Sequence, residues 1–339
     1  MVGGGTPSTK IANFWQGNIP WISSSDLVEN NIYKINITRH ISEDAVKHSS
    51  TKLISPKSIL VVTRVGLGKI AVAEKTLCTS QDFTSLFSQN VNPYYFAYLI
   101  QKTINNEKSQ GSTIKGISSY EIAKKTLSYP LIDEQNKVFK FINAIDRKIG
   151  IVEDKLSTLK KYKKGLQQRL FLRQNSLEYL RLKEIVKFMP KSKLSAGLSI
   201  SNGKYPFFLS GDKTGKINDF LYEGIYVIAN DGGEAGFRTT QNKFAYSDHC
   251  ICFKAQTDYV TKNVYEYLDL IKAQITYIGF TGSGLKNIDR NYFENIKIPK
   301  IVLQPIHAFN LFNSLIERLN LKLTNLKLMK KYLLRNLFI

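Results

Sequence analysis

Four stretches carry residue types that could do chemistry. His249, Cys250 and Cys252 in "HCIC" are metal-ligand types. Alternation along a strand, however, sends His249 and Ile251 to one face and the two cysteines to the other. No second Cys or His pair completes a tetrahedral set. "NPYY" (Asn92 to Tyr95) lacks the second proline of an adenine-holding Asn-Pro-Pro-Tyr element, and no glycine-rich methyl-donor loop precedes it, so it reads as the opening of a helix with an aromatic face. The glycines of "GLG" (Gly66, Gly68) and "NDGGEAG" match no GxxxxGK[ST] phosphate loop and read as turns. His40, His48 and His307 have no partner that the sequence identifies, and no paired carboxylates stand out. The sequence predicts no active site and no metal or cofactor bound by the chain.

Recognition chemistry is what remains. Five loops, "GGGTPSTK", "SSSD", "QGSTIKG", "SISNGK" and "FTGSGLK", combine hydroxyls, amides, lysines and glycines. Hydroxyls and amides bond phosphates and base edges, and lysines neutralise phosphates. Lys115 and Lys286 lead the candidate DNA contacts, because they hold equivalent places in two copies of one Gly-Ser loop. Arg64 and Asn230, paired by the same repeat, come next. Thr6, Ser8, Lys10, Ser23, Ser24, Ser201, Asn202, Lys204 and Arg238 complete the set.

Charge points the same way. The 339 residues hold 48 Lys and Arg against 27 Asp and Glu, a net +21. Residues 1–172 contribute +11 and residues 173–339 contribute +10, so two equally basic halves are available to face one polyanion. Three cysteines, Cys78, Cys250 and Cys252, are too few for a disulfide scaffold and imply a reducing cytoplasm. No apolar run has the length of a membrane helix, and "MVGGGTPSTK" lacks the apolar core of a secretory signal.

The elements that must position these loops are written twice. "GNIPWISSSD" (17–26) is answered by "GKYPFFLSGD" (203–212), "ILVVTRVGLGKIAV" (59–72) by "IYVIANDGGEAGFR" (225–238), and "GSTIKGI" (111–117) by "GSGLKNI" (282–288). "KKYKKGLQQRLF" (160–171) is echoed by "KKYLLRNLF" (330–338). Four matches in the same order indicate an internal duplication. Each half opens with short β-branched and aromatic runs broken by turn residues. A more helical stretch follows ("PYYFAYLIQKTI" and "NVYEYLDLIKAQI"), and then one long helix.

In the first long helix Val138, Ile142, Ile145, Ile149, Val152, Leu156, Leu159, Leu166 and Leu170 step by threes and fours, with Lys163 in a skipped slot. Phe309, Phe312, Ile316, Leu319, Leu323, Leu326, Leu333 and Leu337 repeat that register 167 residues later, with Lys330 in the skipped slot. Such spacing is a coiled-coil seam. Asp133 is placed to cap the first helix and Pro305 suits the first turn of the second. Packing the helices on each other, antiparallel, predicts an α+β chain. Two globular domains (1–132 and 174–300) are then held apart by helices at 133–173 and 301–339. The 33 residues from Val138 to Leu170 span roughly 50 Å, about one and a half turns of B-DNA. A homodimeric coiled coil is the alternative use of the seams.

"GGGTPSTK…WQGNIPWISSSDL", the Gly-Ser-x-x-Lys loop before "SYPLIDEQ", and the ending "LQQRLF" resemble the DNA-specificity subunits of type I restriction–modification systems over essentially the whole chain. The resemblance implies two target-recognition domains, each reading part of a split double-stranded DNA sequence, with the helices setting the unread spacer. It also implies a non-catalytic subunit that recruits two methylation subunits, which use S-adenosylmethionine, and ATP- and Mg-dependent restriction subunits through the assembly. A coiled-coil adaptor, or a degenerate specificity subunit without DNA readout, is the competing expectation; a stand-alone methyltransferase or nuclease would need a donor loop or an acidic metal cluster. Two departures stand out. The second copy reads "KIVLQ" where the first reads "LIDEQ", and "EYLRLKEIVKFM" (178–189) has no counterpart before "GGGTPS". The first domain is therefore expected to lack that opening segment or to start short.

Overall fold

The computed structural model describes residues 1–109, 116–173, 178–282, 284 and 286–338, with the backbone alone for 105–109. Two compact units emerge, Met1–Val152 with Lys322–Ile339, and Glu153–Leu321. This division cuts through both long helices, so each unit is a globular part plus a stretch of each helix.

In the first unit the strands are β1 (Val2–Gly3), β2 (Ile19–Ile22), β3 (Arg39–Ile41), β4 (Leu53–Ile54), β5 (Ile59–Val62), β6 (Ile70–Val72), β7 (Leu77–Thr79) and β8 (Phe83–Leu86), with α1 (Glu43–Lys47) between β3 and β4. They form two sheets, ordered β1-β8-β5-β6 and β3-β2-β7-β4. β2 and β7 are parallel, with Trp21 opposite Cys78. Helices α2 (Pro93–Ser109), α3 (Ser119–Ala123) and α4 (Ile132–Phe171) follow. Alternation along β5 explains the layering: Ile59 and Val61 face α2, whereas Leu60 and Val62 fill a separate core with Ile22, Ile54 and Phe83.

The second unit repeats this plan. It contains β9 (Tyr179–Arg181), α5 (Leu182–Ile185), β10 (Val186–Phe188), β11 (Tyr205–Phe208), β12 (Thr214–Ile217), β13 (Tyr222–Glu223), β14 (Val227–Asn230), β15 (Phe237–Thr239), β16 (Lys243–Tyr246) and β17 (Cys250–Ala255). α6 (Asp258–Leu270), α7 (Lys272–Gly279), β18 (Phe280–Thr281), β19 (Asn287–Ile288), α8 (Arg290–Glu294), β20 (Lys297–Pro299) and the first part of α9 (His307–Asn336) complete it. Its sheets run β10-β17-β14-β15 and β12-β11-β16-β13, the same order as in the first unit, and β11 pairs parallel with β16. One glycine recurs for a steric reason. A Cβ at Gly17 would sit 2.2 Å from the Ile41 carbonyl oxygen, and one at Gly203 would sit 2.4 Å from the Ile217 nitrogen, so both copies need bare backbone where the neighbouring strand passes. One pair is not repeated: β9 with β20 has no equivalent among the described residues of the first unit.

Within each unit the α4 and α9 segments run antiparallel. In the first, Val138, Ile142, Leu334 and Phe338 share one cluster and Lys330 Nζ bonds Asp146 Oδ1 at 2.7 Å. In the second, Lys163 meets Asn313 at 2.6 Å and Phe171 meets Phe309 with ring centroids 5.5 Å apart. Ile142, Ile145, Val152, Leu156 and Phe309 are buried, while Ile149, Leu159, Phe312, Ile316, Leu319, Leu323 and Leu326 are half-buried. The seam ends differently from the expectation. α9 stops at Asn336, so Leu337 is exposed and Phe338 turns inward instead.

The caps also differ. α4 begins at Ile132, so Asp133 lies in its first turn, and α9 begins at His307, which leaves Pro305 ahead of the helix. The repeated basic ending now has a structural use. Phe171 is fully buried against Tyr267 and Phe309, and Phe338 is 2% exposed against Tyr95 and Tyr98. Each helix ends by inserting an aromatic ring into a globular part.

Candidate nucleic-acid interface

Three connections converge at one end of each unit. In the first, the β5–β6 turn (residues 63–69) receives the exit of the Gly-Ser loop, because the Ile117 N–H donates to the Thr63 carbonyl at 2.8 Å. Lys69 Nζ reaches the Ser24 carbonyl at 3.2 Å and ties in the turn after β2. In the second, Ile288 N–H donates to the Asp231 carbonyl at 2.9 Å, Gly233 N–H donates to the Lys286 carbonyl at 2.8 Å, and Ser210 Oγ approaches the Gly232 carbonyl at 3.4 Å.

These bonds also correct the register of the repeat. Thr63 and Asp231 play the same part: each carbonyl accepts from the Gly-Ser loop, and the two N–H groups donate to the Asp82 and His249 carbonyls at 2.7 and 3.1 Å. Asn230 therefore corresponds to Val62 and Arg64 to Gly232, two residues away from the match suggested by the letters.

Arg64 is exposed at the rim of an open cleft of about 540 Å³ lined by Gly3, Gly4, Thr63, Gln81, Thr84, Ser118 and Ser119 among others. Thr6 Oγ1 donates to Gln81 Oε1 at its edge. Gln81 and the Ser118–Ser119 pair were not singled out from sequence, since only the long-range pairing of β1 with β8 and the Ile117 bond bring them to Arg64. Lys286 is exposed, whereas its counterpart Lys115 lies outside the described residues.

Other candidates serve the fold. Asn230 is 3% exposed; its Nδ2 donates to the Glu234 carbonyl at 3.3 Å and its Oδ1 accepts from Arg238 at 3.3 Å. It is a turn brace and does not reach a surface. Arg238 donates to the Lys213 carbonyl at 3.0 Å and to the Leu209 carbonyl, with its guanidinium 5.2 Å from the Phe208 ring centroid. Burial pushes its pKa down. Ser23 belongs to a capping box with Asp26 and accepts from Arg39 Nη2 at 2.7 Å. Ser24 contributes its carbonyl to Lys69. The Ser8 carbonyl accepts from Trp15 Nε1 at 3.2 Å. Lys10 is exposed near the entry to β2, and Ser201, Asn202 and Lys204 are exposed before β11. Ser201, Asn202 and Lys204 stand at the opposite end of β11 from the Ser210 turn.

The fragments that looked catalytic are structural. Asn92 Oδ1 accepts from the Tyr94 and Tyr95 N–H groups at 3.0 and 2.9 Å, so "NPYY" caps α2, and Tyr94 stacks on Phe139 at 4.7 Å. Cys250 and Cys252 are buried on one side of β17 with Ile228, while Ile251 faces the helical core. Burial raises both thiol pKa values. Among the described residues no group of three or more His, Cys, Asp and Glu is placed to hold a metal ion, and no helix is long and apolar enough to cross a membrane.

The family model described as the type I restriction modification DNA specificity domain matches residues 1–161 and again 175–304. The chain belongs to that family. The specificity subunit of type I restriction enzyme MjaIX from Methanocaldococcus jannaschii is 32% identical over 161 residues, 46% of this chain and 37% of that protein. The EcoR124I/EcoR124II specificity subunit of Escherichia coli is 30% identical over 189 residues, 53% and 44% respectively. The matched stretches thus span less than half of either relative. In fold, the S subunit of a type I restriction–modification system from M. genitalium has a TM-score of 0.70 at 14% identity, covering 99% of this chain and 92% of that one. A chain from a study of complex assembly and conformational transition of the type I system has a TM-score of 0.56 at 12% identity, covering 100% and 95%. The mixed α/β architecture, with two like units and two long helices, is that of this family.

Proposed function

We propose that the chain is the specificity subunit of a type I restriction–modification complex and reads a bipartite double-stranded DNA target, one part with each unit. The observation that carries this reading is the twofold match to a DNA-specificity family, combined with a convergent loop cluster at the same strand ends in both units. The clusters differ chemically. The first offers donors, with Arg64, Lys69 and Gln81 beside the Ser118 turn; arginine suits guanine O6 and N7, and glutamine suits adenine. The second carries Asp231 and Glu234 beside Lys286, and carboxylates accept from cytosine N4. Two unlike readers suit a target with two unlike parts.

In this reading residues 1–132 and 174–300 recognise sequence, while 133–173 and 301–339 set the spacer and present surfaces to partners. The chain does no chemistry and binds no cofactor. Two methylation subunits bring S-adenosylmethionine to adenine, and restriction subunits act with ATP and Mg through the complex, in the cytoplasm. Basic surfaces supply most of the affinity, which falls steeply as salt rises.

Co-expression with the methylation subunit in an unmethylated host, followed by mapping of modified adenines, tests the reading. A split motif with a fixed gap is expected, and one added heptad in both α4 and α9 lengthens that gap. A stable complex that modifies no adenine overturns DNA readout and leaves the adaptor role.

A further inference from the structure

The turn between β7 and β8 and the turn between β16 and β17 share their backbone bonds. The Phe83 N–H donates to the Ser80 carbonyl at 3.2 Å and the Cys250 N–H to the Ser247 carbonyl at 3.1 Å, so each is a four-residue turn. Ser80 and Ser247 are anchored alike, their N–H groups donating to the Ile22 carbonyl at 2.8 Å and the Phe208 carbonyl at 2.9 Å. The Asp82 and His249 carbonyls accept from Thr63 and Asp231, the residues that set the register of the two loop clusters. Gln81 and Asp248 therefore hold one and the same place, the first corner of a turn inside the cluster.

What the two corners offer differs. Gln81 is exposed and lines the cleft together with Arg64. Thr6 Oγ1 donates to its Oε1, which fixes the end of the amide that carries the oxygen. An amide oxygen has two lone pairs and an amide nitrogen two protons. Among the described residues one lone pair and both protons of Gln81 stay without a partner. Such a neighbouring acceptor and donor match adenine, whose major-groove edge sets N6 beside N7. The Asp248 side chain is 35% exposed, with His249 Nε2 standing 3.9 Å from Oδ1. That oxygen accepts no hydrogen bond among the described residues. A carboxylate repels phosphates and the acceptor edges of guanine and thymine, and cytosine N4 is the donor it suits. Adenine also offers a donor there, but with the acceptor N7 beside it.

We propose that Gln81 and Asp248 are equivalent specificity-determining residues, Gln81 selecting an adenine in one part of the target and Asp248 a cytosine in the other. Thr6 is a positioning residue, acting through the orientation of the Gln81 amide. The inference rests on the DNA reading given above and names the residues and bases of that reading.

The complex with the methylation subunit, titrated at fixed salt, tests it. The duplexes carry each of the four bases in turn at every position of the mapped motif. Gln81→Glu keeps the side-chain length and the acceptor for Thr6 but loses the donor. It shifts preference from adenine towards cytosine at one position of one half-site, by about tenfold or more. Asp248→Asn gains a donor and shifts preference from cytosine towards adenine at one position of the other half-site, by a similar factor. Thr6→Val frees the amide to turn over and lowers the adenine preference at the Gln81 position alone. Unchanged preference at every position in either Gln81→Glu or Asp248→Asn overturns the proposal, as do changes from both in the same half-site. A wild-type complex that distinguishes no duplex from another overturns the DNA reading itself, and this inference with it.

Discussion

The two units fasten their globular parts to the helices with the same lysine but with the acid in different places. In the second unit Lys163 bonds Glu266 of α6 at 2.7 Å and Asn313 of α9 at 2.6 Å. Gln167 and Asn313 also bond Glu266, each at 2.7 Å. In the first, Lys330, 167 residues on, bonds Asp146 of α4 at 2.7 Å and lies 5.1 Å from the Tyr98 ring centroid, while Tyr98 Oη donates to Asp146. Asp146 and Asn313 occupy the same seam position, and Tyr98 and Glu266 both project from the helix packed against it. One joint therefore places its negative charge on the long helix, and the other on the globular part. Each balances one buried cation with one carboxylate, as burial of charge demands. A duplicated protein has kept the charge balance of the joint while moving the charge.

Glu266→Gln breaks this comparison most severely. Lys163 is left mostly buried without a counter-charge, at a cost of about 3–5 kcal/mol in urea unfolding. Asp146→Asn costs less, about 2 kcal/mol, because the Tyr98 ring still faces the Lys330 ammonium. Combining it with Tyr98→Glu moves the acid to where the second unit keeps it. The double variant is expected to be more stable than Asp146→Asn alone, and a further loss would show that the joints are not interchangeable.

The two arginines of the loop clusters sharpen the contrast between holding and reading. Arg238→Ala exposes carbonyls that the guanidinium satisfies and lowers stability by about 2 kcal/mol. Arg64→Ala leaves the unfolding midpoint unchanged and weakens DNA binding by about 1 kcal/mol, measured by titration at fixed salt.

The duplication and the seam were legible because a 3.5-residue spacing repeated at constant separation survives any change of surface residues. Lys163 and Lys330 read as gaps in that seam; in space they are its two polar joints. Their acids were hidden, since Glu266 sits 103 residues from Lys163 and no local pattern sets it apart from the other charges of α6. Asn230 and Arg238 looked like surface groups because Gly, Asn and Asp surround them. The turn folds back, however, and the side chains brace each other beneath it. Letter matching placed Asn230 against Arg64, and only the strand hydrogen bonds fixed the register at Thr63 and Asp231. Gln81 and Ser118 carried no signal, for what makes them neighbours of Arg64 is sheet pairing and a single backbone bond.

Phe338 has a consequence in time. Its ring closes a core with Tyr95, Tyr98 and Ile142, and its carbonyl accepts from Lys102, 236 residues earlier. During synthesis domains generally fold in order from the N-terminus, yet here the first unit waits for a ring that is made only after the whole of the second. Such a long closure is slow. The first unit is thus the last to be finished, and a chain released early exposes Tyr95 and Tyr98 to whatever proteolysis and chaperoning the cell applies. Synthesis of the second unit is built into the stability of the first.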